Sequence, residues 1–420
     1  MIELEAAIAL VEGAAAALPP RRQRLLDACG RRLAAAVTAD VDSPPWDRAM
    51  MDGFAVRSVD FGASAGGGET VELDVAVDLA AGDVTSLTIR PGTCGRIMTG
   101  APIPPGADAI VPVECAVDGT AGVHAGGRVR LRDERFRAGQ HIARQGAAFR
   151  HGQQVLAAGA VLGAAEIGLA AEAGATHVVA MPRVRVAILS TGSELVAPEQ
   201  VPAFGQTRNS NGPMIAAAVT LLAAEPIPLG IAADRPEAIR SLVAQGLAAD
   251  VLLLSGGVSA GDLDLVPGIF QACGVEQIFH KVRLKPGKPV WFGILRRAAA
   301  APTLVFGLPG NPASSLVCFE LFARPAIRIL AGLPRDRWHL PRGSALLAGP
   351  AKAAADRPVY LPCRLTRDSG GLHAAPLPWT GSSDLMGLSG AGGLIALPAG
   401  GRRHEPGEMV EVVFREPATV

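Results

Sequence analysis

Hydrophobic periodicity divides the chain into stretches of different character. Near the N-terminus, "EAAIALVEGAAAAL" (5–18) and "QRLLDACGRRLAAAV" (23–37) carry apolar residues at helical spacing. They predict two helices leading into the stiff loop "DSPPWDRAM" (42–50). The period then shortens. "VELDVAVDLA" (71–80) and "GRVRLRDERF" (127–136) alternate apolar and polar residues between glycine-rich intervals, the pattern of β-hairpins. A helical run returns in "GAAEIGLAAEAGA" (163–175), so the β-rich piece is expected to be an insertion within a helical connector.

Beyond Val184 the apolar runs "VRVAILS", "DVLLLSG" and "TLVFGLPG" alternate with the helical stretches "GPMIAAAVTLLAA", "RPEAIRSLVAQGLA" and "NPASSLVCFELFARPAIRIL". That alternation predicts a parallel sheet covered on both faces by helices. The last helix has a defined start, with Asn311 as N-cap and Pro312 in the first turn. After the Leu333-Pro334 break, short β runs ending in "GEMVEVVF" predict a small barrel or sandwich. The expected division is a helical connector (1–50 and 148–180), an inserted β-rich domain (51–147), an α/β domain (181–334) and a C-terminal β domain (335–420).

Composition narrows the class. The 420 residues are too many for one core and suggest roughly two to four domains. No apolar run reaches the about 18 residues needed to cross a bilayer. The opening "MIELEAAIAL" has two glutamates and no basic start. The cysteines (Cys29, Cys94, Cys115, Cys273, Cys318, Cys363) are scattered without a C-x-x-C pair, which supports neither a disulfide framework nor a zinc site. A cytoplasmic protein without membrane association is expected. Zero formal net charge and a single tyrosine argue against a nucleic-acid binder built on basic stripes and stacked aromatics.

Charge is nevertheless concentrated at one place. Lys281, Arg283 and Lys285 are spaced by two and would share one face of an extended strand, with Lys288 just beyond. Like charges on one face repel, so an anion is expected opposite them. In an open α/β sheet, ligands sit at the carboxyl ends of the strands. Three glycine-bearing loops fall there: "STGSEL" (190–195), "SGGVSAGDLD" (255–264) and "GLPGNPASS" (307–315). Each alone is compatible with an ordinary turn. Together, beside the lysines, they predict a phosphate or oxyanion site with Ser255, Gly256, Gly257, Gly310 and Asn311 among its binding positions. Glu194, Asp234, Asp262 and Asp264 accompany them, either as partners in surface ion pairs or as a Mg²⁺ site that also uses substrate phosphates. "GVSAG" (257–261) matches the nucleophile elbow of serine hydrolases, which would make Ser259 reactive. No later histidine among His280, His339, His373 and His404 has a distinctive setting, and the acidic continuation suits anion chemistry better.

Six segments carry a resemblance: "AMMDGFAV" (49–56), "RIMTGAPIPPGADAIVPVE" (96–114), "AILSTGSELV" (187–196), "LLSGGVSAGDLD" (253–264), "LKPGKPVWFG" (284–293) and "GLPGNPASS" (307–315). In this order they resemble the molybdopterin molybdenumtransferases, the MoeA family that includes the gephyrin E domain. The resemblance implies a multidomain α/β fold: a MogA-like molybdopterin-binding α/β domain, a helical connector, an inserted β-rich domain and a small C-terminal β-barrel, in a homodimer. It implies insertion of molybdate into adenylated molybdopterin with release of AMP, assisted by Mg²⁺. A MogA-like adenylyltransferase and recipient molybdoenzymes are the implied partners.

Carried over by motif, the catalytic positions are Asp52, Thr99, Glu194, Lys281 and Lys285. The metal ligands are Asp234 and Asp264, and Lys288, Ser314 and Ser382 contact substrate. Two positions depart from the family pattern. Ala148 stands where an aspartate is usual, and Pro362 where an arginine of the molybdate pocket is usual, with Arg364 two residues on. The departures leave open a second reading, a catalytically weak paralogue acting as cofactor carrier or scaffold.

Overall fold

A computed structural model describes residues 1–61, 69–258, 265–298 and 301–415. The chain divides into two compact units: residues 1–21, 30–32 and 180–420 form one, residues 22–29 and 33–179 the other. No described helix is long and apolar enough to cross a membrane.

The first unit is organised by a six-stranded sheet. Its strands lie in the order Glu225–Ala232, Arg185–Thr191, Val251–Ser255, Thr303–Leu308, Trp291–Leu295, Glu276–His280. Successive residues of each strand feed opposite faces. Val186, Ile188, Leu253, Phe292 and Phe306 enter one core, and Ala187, Leu189, Leu252, Leu254, Trp291 and Val305 the other. Burial on both sides explains why these strands are continuous apolar runs. Helix Asn211–Leu221 covers the first face through Ile215 and Val219, together with Leu4, Ala7 and Val11 of helix Leu4–Ala14. Helices Pro236–Gly246 and Val266–Ala272 cover the second through Ile239, Val243, Ile269 and Phe270.

The sheet is not wholly parallel, as the alternation of elements suggested. Trp291–Leu295 runs antiparallel to both its neighbours. The segment that joins it to Glu276–His280 is a short turn, too short for the crossover that a parallel pair requires. Near the C-terminus, Arg342–Leu347, Gly371–Pro376, Val359–Asp368, Gly393–Leu397 and Met409–Phe414 close into a barrel around Leu347, Cys363, Ala374, Ile395 and Val412.

The second unit contains a five-stranded sheet in the order Ala109–Pro112, Gly53–Val56, Thr93–Ile97, Val71–Leu79, Arg128–Leu131. Its own core is built on Phe54, Leu73, Val75, Val111 and Leu131. Helix Ala164–Glu172 begins where the Glu166 carboxylate accepts the Gly163 N–H at 3.0 Å.

Two helical expectations near the N-terminus are corrected. The first helix stops at Ala14, because Ala15 is already extended and Pro19 and Pro20 follow. The second, expected over 23–37, does not form. Arg21–Arg24 is a strand, Leu26–Ala28 a single 3₁₀ turn, and Gly30 takes φ +74°. Val37–Thr38 pairs instead with Gln154–Leu156. Helix propensity of an alanine-rich segment is a weak term that strand pairing overrides.

Candidate functional site: a polar cleft at the carboxyl ends of the strands

Three loops are brought side by side by strand register. Ser190 lies opposite Ser255, and Ser255 opposite Leu308, so the glycines after each strand meet at one edge of the sheet. The Gly256 N–H donates to Leu308 O at 3.1 Å. Gly256 is required here: its φ is +97°, and a Cβ would fall 2.4 Å from the Thr191 carbonyl oxygen. Behind the loops, the Ser255 hydroxyl donates to Ser190 Oγ at 3.3 Å and the Ser190 hydroxyl to Asn209 Oδ1 at 3.1 Å.

The two sides of the sheet contribute opposite charges to this edge. Glu194 follows Arg185–Thr191, and Asp234 follows Glu225–Ala232. The Ser193 N–H donates to Asp234 Oδ2 at 2.9 Å, while the Asp234 N–H donates to Ser193 Oγ at 3.0 Å, which holds the two loops together. At the far end, the turn 281–290 leaves Glu276–His280 and re-enters at Trp291 on the same edge, carrying Lys285 and Lys288. Gly287 gives the turn its shape, with φ +118° and no room for a Cβ beside Cys318 Sγ.

The result is a cleft of about 1060 Å³ within the first unit. Of the positions expected from sequence, Glu194, Asp234, Ser255, Gly256, Gly257, Lys285, Lys288, Gly310, Asn311, Ser314 and Ser382 all line it. Asn311 has the extended backbone of an N-cap, but its side chain does not cap the helix; the Nδ2 amide donates to Ser382 Oγ at 2.7 Å. The Ala313 N–H donates to Ser382 O at 3.0 Å, so the 380s loop is fastened to the start of helix Pro312–Cys318.

The expected lysine face is corrected. Residues 281–285 are not a strand: Glu276–His280 ends first and Lys281 adopts φ +69°. Val282 and Leu284 are buried while Arg283 and Lys285 are exposed, so alternation persists locally. However, Arg283 pairs with Glu3 at 3.3 Å, and neither it nor Lys281 is among the described residues lining the cleft. Dispersal of the side chains and the pairing of Arg283 with Glu3 relieve the charge repulsion.

Asp52 and Thr99 lie in the second unit, where they form a pair of their own. The Thr99 hydroxyl and N–H both donate to Asp52 Oδ1, at 2.6 and 2.7 Å. These two hydrogen bonds, the hydroxyl's first, hold the Asp52 carboxyl below its ordinary pKa. Ala148 is exposed in the same unit. Ser259, Asp262 and Asp264 lie outside the described residues.

Sequence reasoning missed Arg208, Asn209, Asn211, Arg357 and Trp379, which also line the cleft. Asn209 and Asn211 sit in "RNSNG", a polar interruption before a helix that was a usable signal. Arg357 and Trp379 belong to the C-terminal part of the chain and carry no local signature.

Residues 2–174 match the family model "MoeA N-terminal region (domain I and II)", 187–329 match "Probable molybdopterin binding domain", and 344–414 match "MoeA C-terminal region (domain IV)". Molybdopterin molybdenumtransferase 2 of Mycobacterium tuberculosis is 37% identical over 382 residues, which span 89% of this chain and 90% of that protein. This chain belongs to the molybdopterin molybdenumtransferase family. The molybdopterin molybdenumtransferase of Bacillus subtilis is 33% identical over 93% of this chain and 88% of its own length. A crystal structure of the molybdopterin biosynthesis MoeA protein from Pyrococcus superposes over 99% of both chains, with a TM-score of 0.75 at 27% identity. Membership places the chain among the transferases of molybdenum cofactor biosynthesis.

Proposed function

We propose that this chain inserts molybdate into adenylated molybdopterin and releases AMP. The observation that carries the proposal is the convergence of Lys285, Lys288, Ser314 and Ser382 with the glycine loops at 256–257 and 310 in one cleft. Splitting a phosphoric anhydride needs charge neutralisation and positioning more than a covalent nucleophile. Loop amides and lysines supply the first, and the serine hydroxyls orient a tetrahedral oxyanion. At about 1060 Å³, the cleft is at the upper end of ligand-site sizes, which suits a pterin joined to a nucleotide.

The chemistry of the donors is compatible with Mg²⁺. Asp234 and Glu194 present exposed carboxylates to the cleft, oxygen donors of the kind this ion prefers. No cluster of three or more carboxylate, histidine or cysteine side chains forms among the described residues. The fit is therefore to an ion held by one or two carboxylates plus substrate phosphates. Asp234, with Asp264, would hold it, and the ion would supply neutralisation of phosphate charge. The Ser193 N–H fixes the Asp234 carboxylate for that role.

The proposal includes four domains divided as expected from the sequence, a homodimer, a cytoplasmic location, an adenylyltransferase as supplier of the substrate and molybdoenzymes as recipients. It assigns Asp52 and Thr99 to the reaction as a preformed hydrogen-bonded pair. A carrier role is favoured by Ala148 and Pro362, and opposed by the assembled set of acids, lysines and serines. Metal-stimulated release of AMP from adenylated molybdopterin separates the two. Asp234→Asn is expected to abolish the stimulation with an unchanged melting temperature; unchanged metal dependence would remove Asp234 from the site.

A further inference from the structure

We infer that Arg96 is held by His124 and Asp78 as a contact for a substrate phosphate, beside Asp52 and Thr99. The inference rests on the proposal above that Asp52 and Thr99 take part in the reaction. Strand register brings these groups together within the second unit. Arg96, in strand Thr93–Ile97, lies between Phe54 of Gly53–Val56 and Asp78 of Val71–Leu79. Asp52 immediately precedes Gly53, and Thr99 follows just after Ile97. Residues directly opposite each other in a sheet share a face, so Arg96 and Asp78 stand side by side.

The contacts of the guanidinium show how it is held. Arg96 Nη1 donates to His124 Nε2 at 2.8 Å and to the Val123 carbonyl oxygen at 3.4 Å. A guanidinium only donates, so His124 Nε2 accepts and the ring proton sits on Nδ1. That nitrogen faces Asp78 Oδ2 at 3.1 Å, which the Ala125 N–H also reaches at 3.3 Å. Every contact of the array Asp78–His124–Arg96 then pairs a donor with an acceptor. No other hydrogen bond or ion pair of Arg96 occurs among the described residues, and none of its nitrogens is a buried donor without a partner. Nε and Nη2 are left to solvent.

An arginine near a carboxylate ordinarily closes an ion pair with it. The two Thr99 hydrogen bonds are the main causes of the lowered Asp52 pKa, and the Arg96 charge adds to them. Yet no Arg96–Asp52 pair forms among the described residues. Each is held by a different partner: His124 and Val123 take Nη1 of Arg96, while Thr99 uses only Oδ1 of Asp52. A cation with an open donor edge thus stands beside a carboxylate with an open oxygen, and neither neutralises the other. Arg128 of the same sheet is the contrast, spent on Asp74 and Glu72 at 2.7 and 2.9 Å. The open edge of a guanidinium matches a phosphate edge. The His124 and Asp78 side chains are 67% and 41% exposed, so the array adds little to stability, and its contribution is the alignment of Arg96. Phosphate and molybdate share this oxyanion chemistry; the inference commits to the phosphate of adenylated molybdopterin.

Steady-state release of AMP, with adenylated molybdopterin and molybdate varied in turn, tests this alongside melting curves. Arg96→Gln is expected to raise KM for adenylated molybdopterin about tenfold, the loss of a hydrogen bond to a charged group, with kcat and the molybdate dependence unchanged. His124→Ala frees the arginine and should raise the same KM severalfold; His124→Gln supplies an amide acceptor and should restore it. Arg128→Gln should behave as wild type does. Wild-type KM in both Arg96→Gln and His124→Ala, with Asp52→Ala inactive, would overturn the inference and leave the role of Asp52 standing. A shift in molybdate dependence alone overturns the assignment to phosphate. If Arg96→Gln melts early, the exposed His124 decides, and an unchanged KM in His124→Ala overturns the alignment. Full activity in Asp52→Ala would bring down that reading and the inference together.

Discussion

Gly256 is the position where the cleft's geometry is most exposed to a single substitution. In Gly256→Ala the added Cβ would stand 2.4 Å from Thr191 O and 2.8 Å from Thr191 Oγ1, with the backbone at φ +97°. Relief requires the 256 and 191 loops to separate by about 1 Å, toward the 3.4 Å of ordinary van der Waals contact. The positive φ costs about 1–2 kcal/mol and the overpacking about 1–3 kcal/mol, so a loss of about 2–5 kcal/mol is expected. A displacement of about 1 Å among binding groups lowers activity about a hundredfold. Two controls isolate the cause. Gly268→Ala lies in helix Val266–Ala272 with open space around its Cβ, and should stabilise by about 0.5–1 kcal/mol. Adding Thr191→Ala to Gly256→Ala removes the hydroxyl but not the carbonyl, so it should rescue little. Thermal melting and AMP release read the two effects. A Gly256→Ala protein that melts and turns over as wild type does would refute the claim that the loop needs a left-handed residue in close contact.

Two further outcomes test the second unit and its relation to the reaction. The Thr99 hydroxyl is the leading cause of the lowered Asp52 pKa, so Thr99→Val should raise it toward the ordinary carboxylate value in an NMR titration. Because the folded pKa is depressed, the stabilisation it brings is present above the ordinary value and is lost as pH falls through the lowered one; an Asp52 that titrates identically in both proteins contradicts the pairing. Asp52→Ala and Lys285→Ala are each expected to be inactive, and mixing them should restore partial activity if, as proposed, a homodimer combines the two residues. No recovery despite demonstrated subunit exchange would remove the shared arrangement.

Much of the cleft was legible because its parts are local. Apolar runs that end in "STG", "SGG" and "LPG" place glycines at strand ends, and a parallel register then brings those ends together without further information. Glu194 follows one of these ends, Asp234 follows the neighbouring strand Glu225–Ala232, and Lys285 and Lys288 lie in the turn between Glu276–His280 and Trp291–Leu295, so they arrive at the same edge. The strand expected over 281–285 does not form because period-2 spacing assumes an extended backbone, whereas the strand ends at His280 and Lys281 takes φ +69°. The helix expected over 23–37 failed for a related reason: propensity is summed along the chain, whereas Val37–Thr38 is stabilised by a partner more than a hundred residues away. Arg357 and Trp379 escaped notice because only the packing of the barrel segment against the lysine turn puts them in the cleft.

Release of AMP from adenylated molybdopterin, followed with and without molybdate in the wild type and in Lys288→Ala, bears most directly on the central claim. The proposed function predicts molybdate-dependent release by the wild type, with formation of a molybdenum-bearing pterin, and a loss of about tenfold or more in the lysine variant. A wild-type protein that binds adenylated molybdopterin yet leaves it intact in the presence of molybdate and Mg²⁺ would contradict the claim and make the cleft a carrier site.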